Sequence, residues 1–325
     1  MHSITGGFIM RNTLAIIGLI TIVAAVTFGI ASCTDFSSSN IAYSGERIGL
    51  IHINGVITSE QNEMNAFMPT GGTDSETVVQ QLDEARKDNN IKAVVIRVNS
   101  PGGSAAASQE IFQAINRFKT TGRKVIVSMG DVAASGGYYV SAPADIIYAN
   151  SATLTGSIGV IMQMMNYEGL YEKIGLDTVT LKAGKYKDIG NPTRPMTEEE
   201  KAILQNILTE VHTQFKEAVM EGRGMTQEEV DKIATGEIWS GRQAKEKKLV
   251  DEVGSFKDAL DRAAKEGGLD VEDYVVSPLG QGSIFDEIMK GFQMKFSPTI
   301  QIGGMPSNTS TGLYTDPTLL RMTMN

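Results

Sequence analysis

Runs of apolar residues change period along this chain, and each change predicts an element. Leu14–Ala31 (LAIIGLITIVAAVTFGIA) carries no charge and comes close to the roughly 20 residues that cross a bilayer as a helix. Arg47–Ile57 (RIGLIHINGVI) alternates and is rich in β-branched residues, the pattern of a strand, ended by Asn54-Gly55 and briefly resumed. Ser75–Lys87 puts Val78, Val79, Leu82 and Ala85 on one helical face, with Ser75 as N-cap. Ile91–Val98 reads as a buried strand, the sharp glycine turn Asn99–Ser104 follows, and an amphipathic helix runs from there to about Phe118. Lys124–Met129 is another apolar strand.

Further on, Ile146–Ala149 and Ile158–Met162 are predicted as short strands, Tyr167–Ile174 as a short helix, and Thr178–Leu181 as a strand leading into the lysine-rich loop Lys182–Asp188. A long helix is expected over Thr197–Glu221, with Thr197 as N-cap and Glu198, Glu199 and Glu200 at its positive end. Thr226–Ala234 opens on a capping-box pattern, and Ser255–Lys265 follows the Gly254 turn as a third helix. Glu60–Asp74 and the residues after about Ser277 show no sustained period. They read as a loop and as a tail without fixed structure, or one that docks on a neighbour.

Strand, helix, strand, helix, strand at this spacing is the signature of a parallel sheet with helices on its faces, an α/β class. Chemistry in such sheets gathers at the carboxyl ends of the strands. Both glycine turns, Gly102-Gly103 and Gly136-Gly137, fall there, which argues for one site rather than two unrelated turns. The chain divides into a membrane segment (1–33), a Ser/Asn-rich linker (34–45), a catalytic domain (46–276) and a tail (277–325).

Charge narrows the partners. Lys+Arg 29 against Asp+Glu 38 leaves a net −9, which disfavours nucleic acid. One cysteine, Cys33, cannot build a disulfide framework or a cysteine zinc cluster, and three histidines supply metal chemistry poorly. No cofactor or metal is expected. Arg11 before the apolar span, with Asp35 and Glu46 after it, places the amino terminus in the cytoplasm and the bulk of the chain outside. The span serves either as an uncleaved anchor or as a signal peptide cut before Cys33, since Ile30–Cys33 resembles a lipobox. Both leave the protein tied to a membrane.

The chemistry centres on Ser135. A serine at a strand-to-helix turn, backed by Gly136 and Gly137, exposes its hydroxyl and aims a backbone N–H at a substrate carbonyl. A nucleophilic serine needs a base. His2 precedes the membrane segment, His52 lies mid-strand and His212 lies within a helix, so each reads as structural. A lysine serves instead where burial leaves its amine neutral; the candidates are Lys182, Lys185 and Lys187. Gly102 or Gly103, together with Gly136, would supply oxyanion donors. Ser157 could orient the lysine or simply satisfy its own turn.

Four motifs in order, NSPGG (Asn99–Gly103), ASGGYY (Ala134–Tyr139), TGSIGV (Thr155–Val160) and GKYKDIG (Gly184–Gly190), resemble those of signal peptide peptidase A. This is a membrane-anchored serine–lysine endopeptidase family of bacteria, related in fold to the Clp protease and to crotonases. The resemblance spans about Arg47 to Gly268. It implies a Clp protease/crotonase-like fold of repeated β-β-α units behind an N-terminal transmembrane helix. Ser135 is then the nucleophile, Lys187 the general base, Gly102 and Gly136 the oxyanion donors and Ser157 the orienter of the lysine. It also implies hydrophobic peptide substrates, namely remnant signal peptides, and a homo-oligomeric ring or dome of eight subunits in the single-domain form. Two other readings fit parts of the chain: a crotonase-like acyl-CoA enzyme, and a non-catalytic membrane assembly scaffold.

Overall fold

The computed structural model describes residues 45–59 and 72–280. In chain order the elements are β1 (Arg47–Thr58), β2 (Gly72–Asp74), α1 (Ser75–Lys87), β3 (Ile91–Gly103), α2 (Ala105–Lys119), β4 (Lys124–Ala134), α3 (Gly136–Ser141), β5 (Ile146–Ala149) and β6 (Leu154–Gly156). There follow α4 (Glu168–Ile174), α5 (Glu198–Arg223), α6 (Gln227–Asp231), β7 (Ile238–Ser240), α7 (Gly241–Glu246), β8 (Glu252–Val253), α8 (Phe256–Glu266) and β9 (Val276–Pro278).

One sheet runs in the order β2-β1-β3-β4-β5-β8. Every pairing along it is parallel. β9 adds parallel to the start of β1, β6 adds parallel to the end of β4, and β7 pairs antiparallel with β6. The central strands are buried on both faces, as parallel strands between helices must be. Val94, Ile96 and Val98 of β3 face the core under α1, α2, α3 and α5, whereas Ala93 and Val95 face α8 through Ala259, Ala263 and Ala264.

Most expected elements stand where the periods put them, with instructive differences. β3 and β4 run on through Asn99–Gly103 and Asp131–Ala134, past the points where glycine and polar residues suggested an end. A register shift between Val98 and Ser100 absorbs the irregularity, and Asn99 Oδ1 accepts from Asp131 N (3.0 Å) and Val132 N (3.1 Å) to satisfy the displaced backbone. Asp74, not Ser75, caps α1, accepting from Thr77 N at 2.7 Å. The strands expected at Ile158–Met162 and Thr178–Leu181 do not form. Thr178–Leu181 is exposed throughout, and β-branched residues make a strand only when a neighbour pairs with them. The Thr226–Ala234 helix shortens to α6 with its capping box intact.

Among the described residues no helix is long and apolar enough to cross a membrane. The Leu14–Ala31 span, the linker and the tail beyond 280 lie outside them, as does most of the Glu60–Asp74 loop.

α5 packs against the end of α3 through Gly222, where a Cβ would sit 2.2 Å from Ala142 O. Gly222→Ala is therefore expected to destabilise the domain by about 1–3 kcal/mol through overpacking. Thermal melting checks this, and an unchanged midpoint would show that the helices part without cost.

Candidate active site

Ser135 makes the whole turn from β4 into α3. Its N–H donates to Gly156 O (2.8 Å), the last bond of the ladder, and its C=O accepts from Tyr139 N (2.8 Å), the first bond of the helix. With both backbone groups committed, the residue is left at φ 54, ψ −121, outside the regions open to an L-residue. Such strain costs about 1–3 kcal/mol and persists only where the surroundings fix it. Here they do. Tyr138 is fully buried and its hydroxyl donates to Leu249 O at 3.0 Å, while Tyr139 lies between Phe112 and Phe215, at ring-centroid distances of 5.5 and 4.8 Å. Burial, then Glu221 and Glu217, push the Tyr139 phenol up to about 12. Beneath the turn, Thr155 Oγ1 donates to Ala133 O and Thr153 Oγ1 to Gly130 O, both at 2.6 Å.

The two glycine turns meet backbone to backbone. A Cβ on Gly136 would lie 2.7 Å from Ser108 Oγ, 3.1 Å from Gly103 N and 3.2 Å from Gly102 Cα; one on Gly137 would lie 2.6 Å from Ser100 O. A side chain on either of these glycines is excluded. Between the two candidate amides of the first turn the structure makes a distinction. Gly102 N donates to Ser100 Oγ at 3.1 Å. Gly103 lies opposite Ile57, whose carbonyl takes its bond from Ser104 N, so the parallel ladder turns the Gly103 N–H away from β1, toward β4 and Gly136.

Ser157 directly follows Gly156, is buried, and holds φ 51 while its N–H donates to Glu237 O (2.7 Å). The remaining predicted residue stands apart. Lys187 is exposed on the turn 184–190, and the buried Ser135 Oγ has no hydrogen-bond partner. Lys182 pairs with Asp188 and Lys185 with Glu199; Glu199 and then Tyr186 raise the Lys185 amine. Lys187 has no ion pair among the described residues. His52 is exposed on β1 beside Arg97, lowered first by burial and then by that guanidinium. His212 lies in α5 with its Nε2 buried and unpartnered. Neither histidine bonds to Ser135.

Sequence reasoning did not single out Ser108, Thr153 or Thr155 as parts of the turn's support. Their signal is a short hydroxyl residue buried beside a glycine motif, and it becomes legible only once the strands are in register.

Residues 117–270 match Peptidase family S49, and residues 59–155 match Clp protease. A candidate protease of Methanocaldococcus jannaschii is 38% identical over 242 residues, covering 74% of this chain and 78% of that protein. The chain belongs to peptidase family S49. A candidate signal peptide peptidase SppA of Enterococcus faecium is 38% identical over 69% of this chain and 64% of its own length. Protease 4 of Haemophilus influenzae is 38% identical over 67% of this chain but 34% of itself. As an S49 protein the chain is a serine endopeptidase, and the parallel-rich sheet agrees with the Clp protease match.

The strain at Ser135 has a measurable signature. Ser135→Gly releases the positive φ and Ser135→Ala retains it, so the glycine variant is expected to be more stable than the alanine variant by about 1 kcal/mol while both lose activity. Denaturant unfolding of the pair decides; an alanine variant equal to or above the glycine variant would show that the turn is unstrained.

Proposed function

We propose that this S49 peptidase cleaves remnant signal peptides after their release from preproteins, with Ser135 as nucleophile and Lys187 as general base. The observation that carries the reading is the strained Ser135 held between two glycine turns at the carboxyl ends of β3 and β4.

In this mechanism the Lys187 amine takes the Ser135 hydroxyl proton as Oγ attacks the scissile carbonyl carbon. The carbonyl oxygen becomes an oxyanion bound by the Gly136 N–H and a donor from the first turn; the Ser100 bond to Gly102 favours Gly103 as that donor. The C–N bond then breaks, the lysine ammonium protonates the departing amine, and an acyl-enzyme remains for water to hydrolyse. Lys182 and Lys185 are held in ion pairs with Asp188 and Glu199, which favours Lys187 as the base. Ser157, one residue beyond the Gly156 that accepts from Ser135 N, would hold the amine toward Oγ in this reading.

In the assembled enzyme a homo-oligomer covers the segment that carries Lys187. Met165, Leu170, Ile174, Leu176, Val179 and Leu181 are all exposed, the last two at 87% and 94%. An apolar surface of this kind marks a protein contact. A ring of eight, as the resemblance implies, would bury it. Residues 1–33 anchor the chain in the bacterial cell membrane with the amino terminus cytoplasmic and the catalytic domain outside, where signal peptides remain after export.

Ser135→Ala and Lys187→Ala are each expected to lower cleavage of an apolar fluorogenic peptide about 10³-fold or more. A Lys187→Ala enzyme of wild-type activity would move the base elsewhere, and a wild type that neither cleaves nor reacts with a fluorophosphonate would return the scaffold or crotonase reading. Separately, the pair Val179→Glu and Leu181→Glu is expected to convert the assembly to smaller species in sedimentation; an unchanged mass would remove this face from the contact.

A further inference from the structure

No residue from Ile161 to Glu199 is buried; the next residue, Glu200, is 3% exposed. The segment that carries Lys187 therefore has no apolar core of its own, and polar contacts set its position. Those contacts converge on one side chain. Arg194 Nε donates to Asp188 Oδ2 (2.9 Å), Nη1 to Pro195 O (3.0 Å) and Glu200 Oε2 (2.9 Å), and Nη2 to Asp188 O (3.0 Å) and Glu200 Oε1 (2.5 Å). Every N–H of a guanidinium is used.

Each end of this clamp is anchored. Glu200 closes the capping box of α5, accepting from Thr197 N at 2.9 Å while its own N–H donates to Thr197 Oγ1. α5 in turn is fixed in the core by Leu204, Phe215, Ala218 and Val219. At the other end, both Asp188 carboxylate oxygens are taken, one by Arg194 and one by Lys182. Asp188 is the residue after Lys187. An unbroken path of charge-assisted bonds thus joins the core to the turn that bears the lysine, and it keeps the neighbouring carboxylate occupied.

We propose that Arg194 is a positioning residue for the reaction, tying Asp188 to Glu200 and so fixing the turn that presents Lys187. This rests on the Ser/Lys reading above. Lysine cannot replace it, because one ammonium does not reach acceptors on both sides of a planar fork.

The test is a double-mutant cycle on the full chain, with cleavage of an apolar fluorogenic peptide as readout and melting temperature as the folding control. Arg194→Ala is expected to lower kcat by about tenfold to a hundredfold with KM unchanged, Arg194→Lys is expected not to restore it, and Arg194→Ala in a Lys187→Ala background is expected to cost nothing further, since the two act through one group. If Arg194→Ala fails to fold, Asp188→Ala removes the carboxylate end of the same link, leaves α5 capped, and carries the same expectation. An undiminished kcat, a loss confined to KM, or an equal loss in the Lys187→Ala background overturns the proposal while leaving the dyad standing. A fully active Lys187→Ala enzyme instead overturns the dyad, and this inference with it.

Discussion

The contact that everything else serves is the one between Gly136-Gly137 and the backbone of Ser100–Gly103. Only because Gly136 and Gly137 lack a side chain can the ends of β3 and β4 approach this closely. The rest of the fold fixes that approach. β3 and β4 are parallel neighbours in register from Ala93↔Lys124 onward, so their carboxyl ends emerge side by side. Helices α2 and α3 then leave in directions set by the Ser104 cap and by the forced turn at Ser135.

Energetics explain why the strained serine persists. Burying one Val or Ile side chain contributes about 1.5–3 kcal/mol, and β3 and β4 bury many on both faces. A distortion of about 1–3 kcal/mol at one residue is then outweighed by two or three core side chains. Tyr138 and Tyr139 translate that reserve to the site, because α3 is short and would not hold its place by its own hydrogen bonds. Strain at Ser135 is tolerated here because the strands behind it bury so much apolar surface.

The alternation in Arg47–Ile57, the apolar runs at Ile91–Val98 and Lys124–Met129 and the capping box at Thr226 were legible in the sequence, because each is dictated by neighbours a few residues away. That the central strands pair in parallel followed from chain spacing. What was not legible depended on partners distant in sequence. Asn99 reads as a turn former, yet its side chain extends β4 by satisfying Asp131 and Val132. Thr178–Leu181 has strand composition and finds no strand to pair with. That Gly102 N donates to Ser100 Oγ while Ser104 N bonds to Ile57 O was not legible either, because both depend on the ladder to β1.

Ser135 and the proposed base are held by different physics. Ser135 is wholly buried, whereas Lys187 rides on a segment without a buried residue, joined to the core by ion pairs at its margin. Segments of this kind lie at the low end of local stability, where opening is cheap. A peptidase that must admit an extended apolar peptide and then exclude water has reason to keep the two apart in just this way. If the serine were equally loose, the oxyanion donors would have to reorganise at every turnover, which is the cost a preorganised site avoids. If the lysine segment were equally buried, the peptide would have no way in. The division between a rigid glycine cradle and a polar-tethered lysine therefore follows from the demands of the reaction, and the clamp at Arg194 sits at the boundary between them.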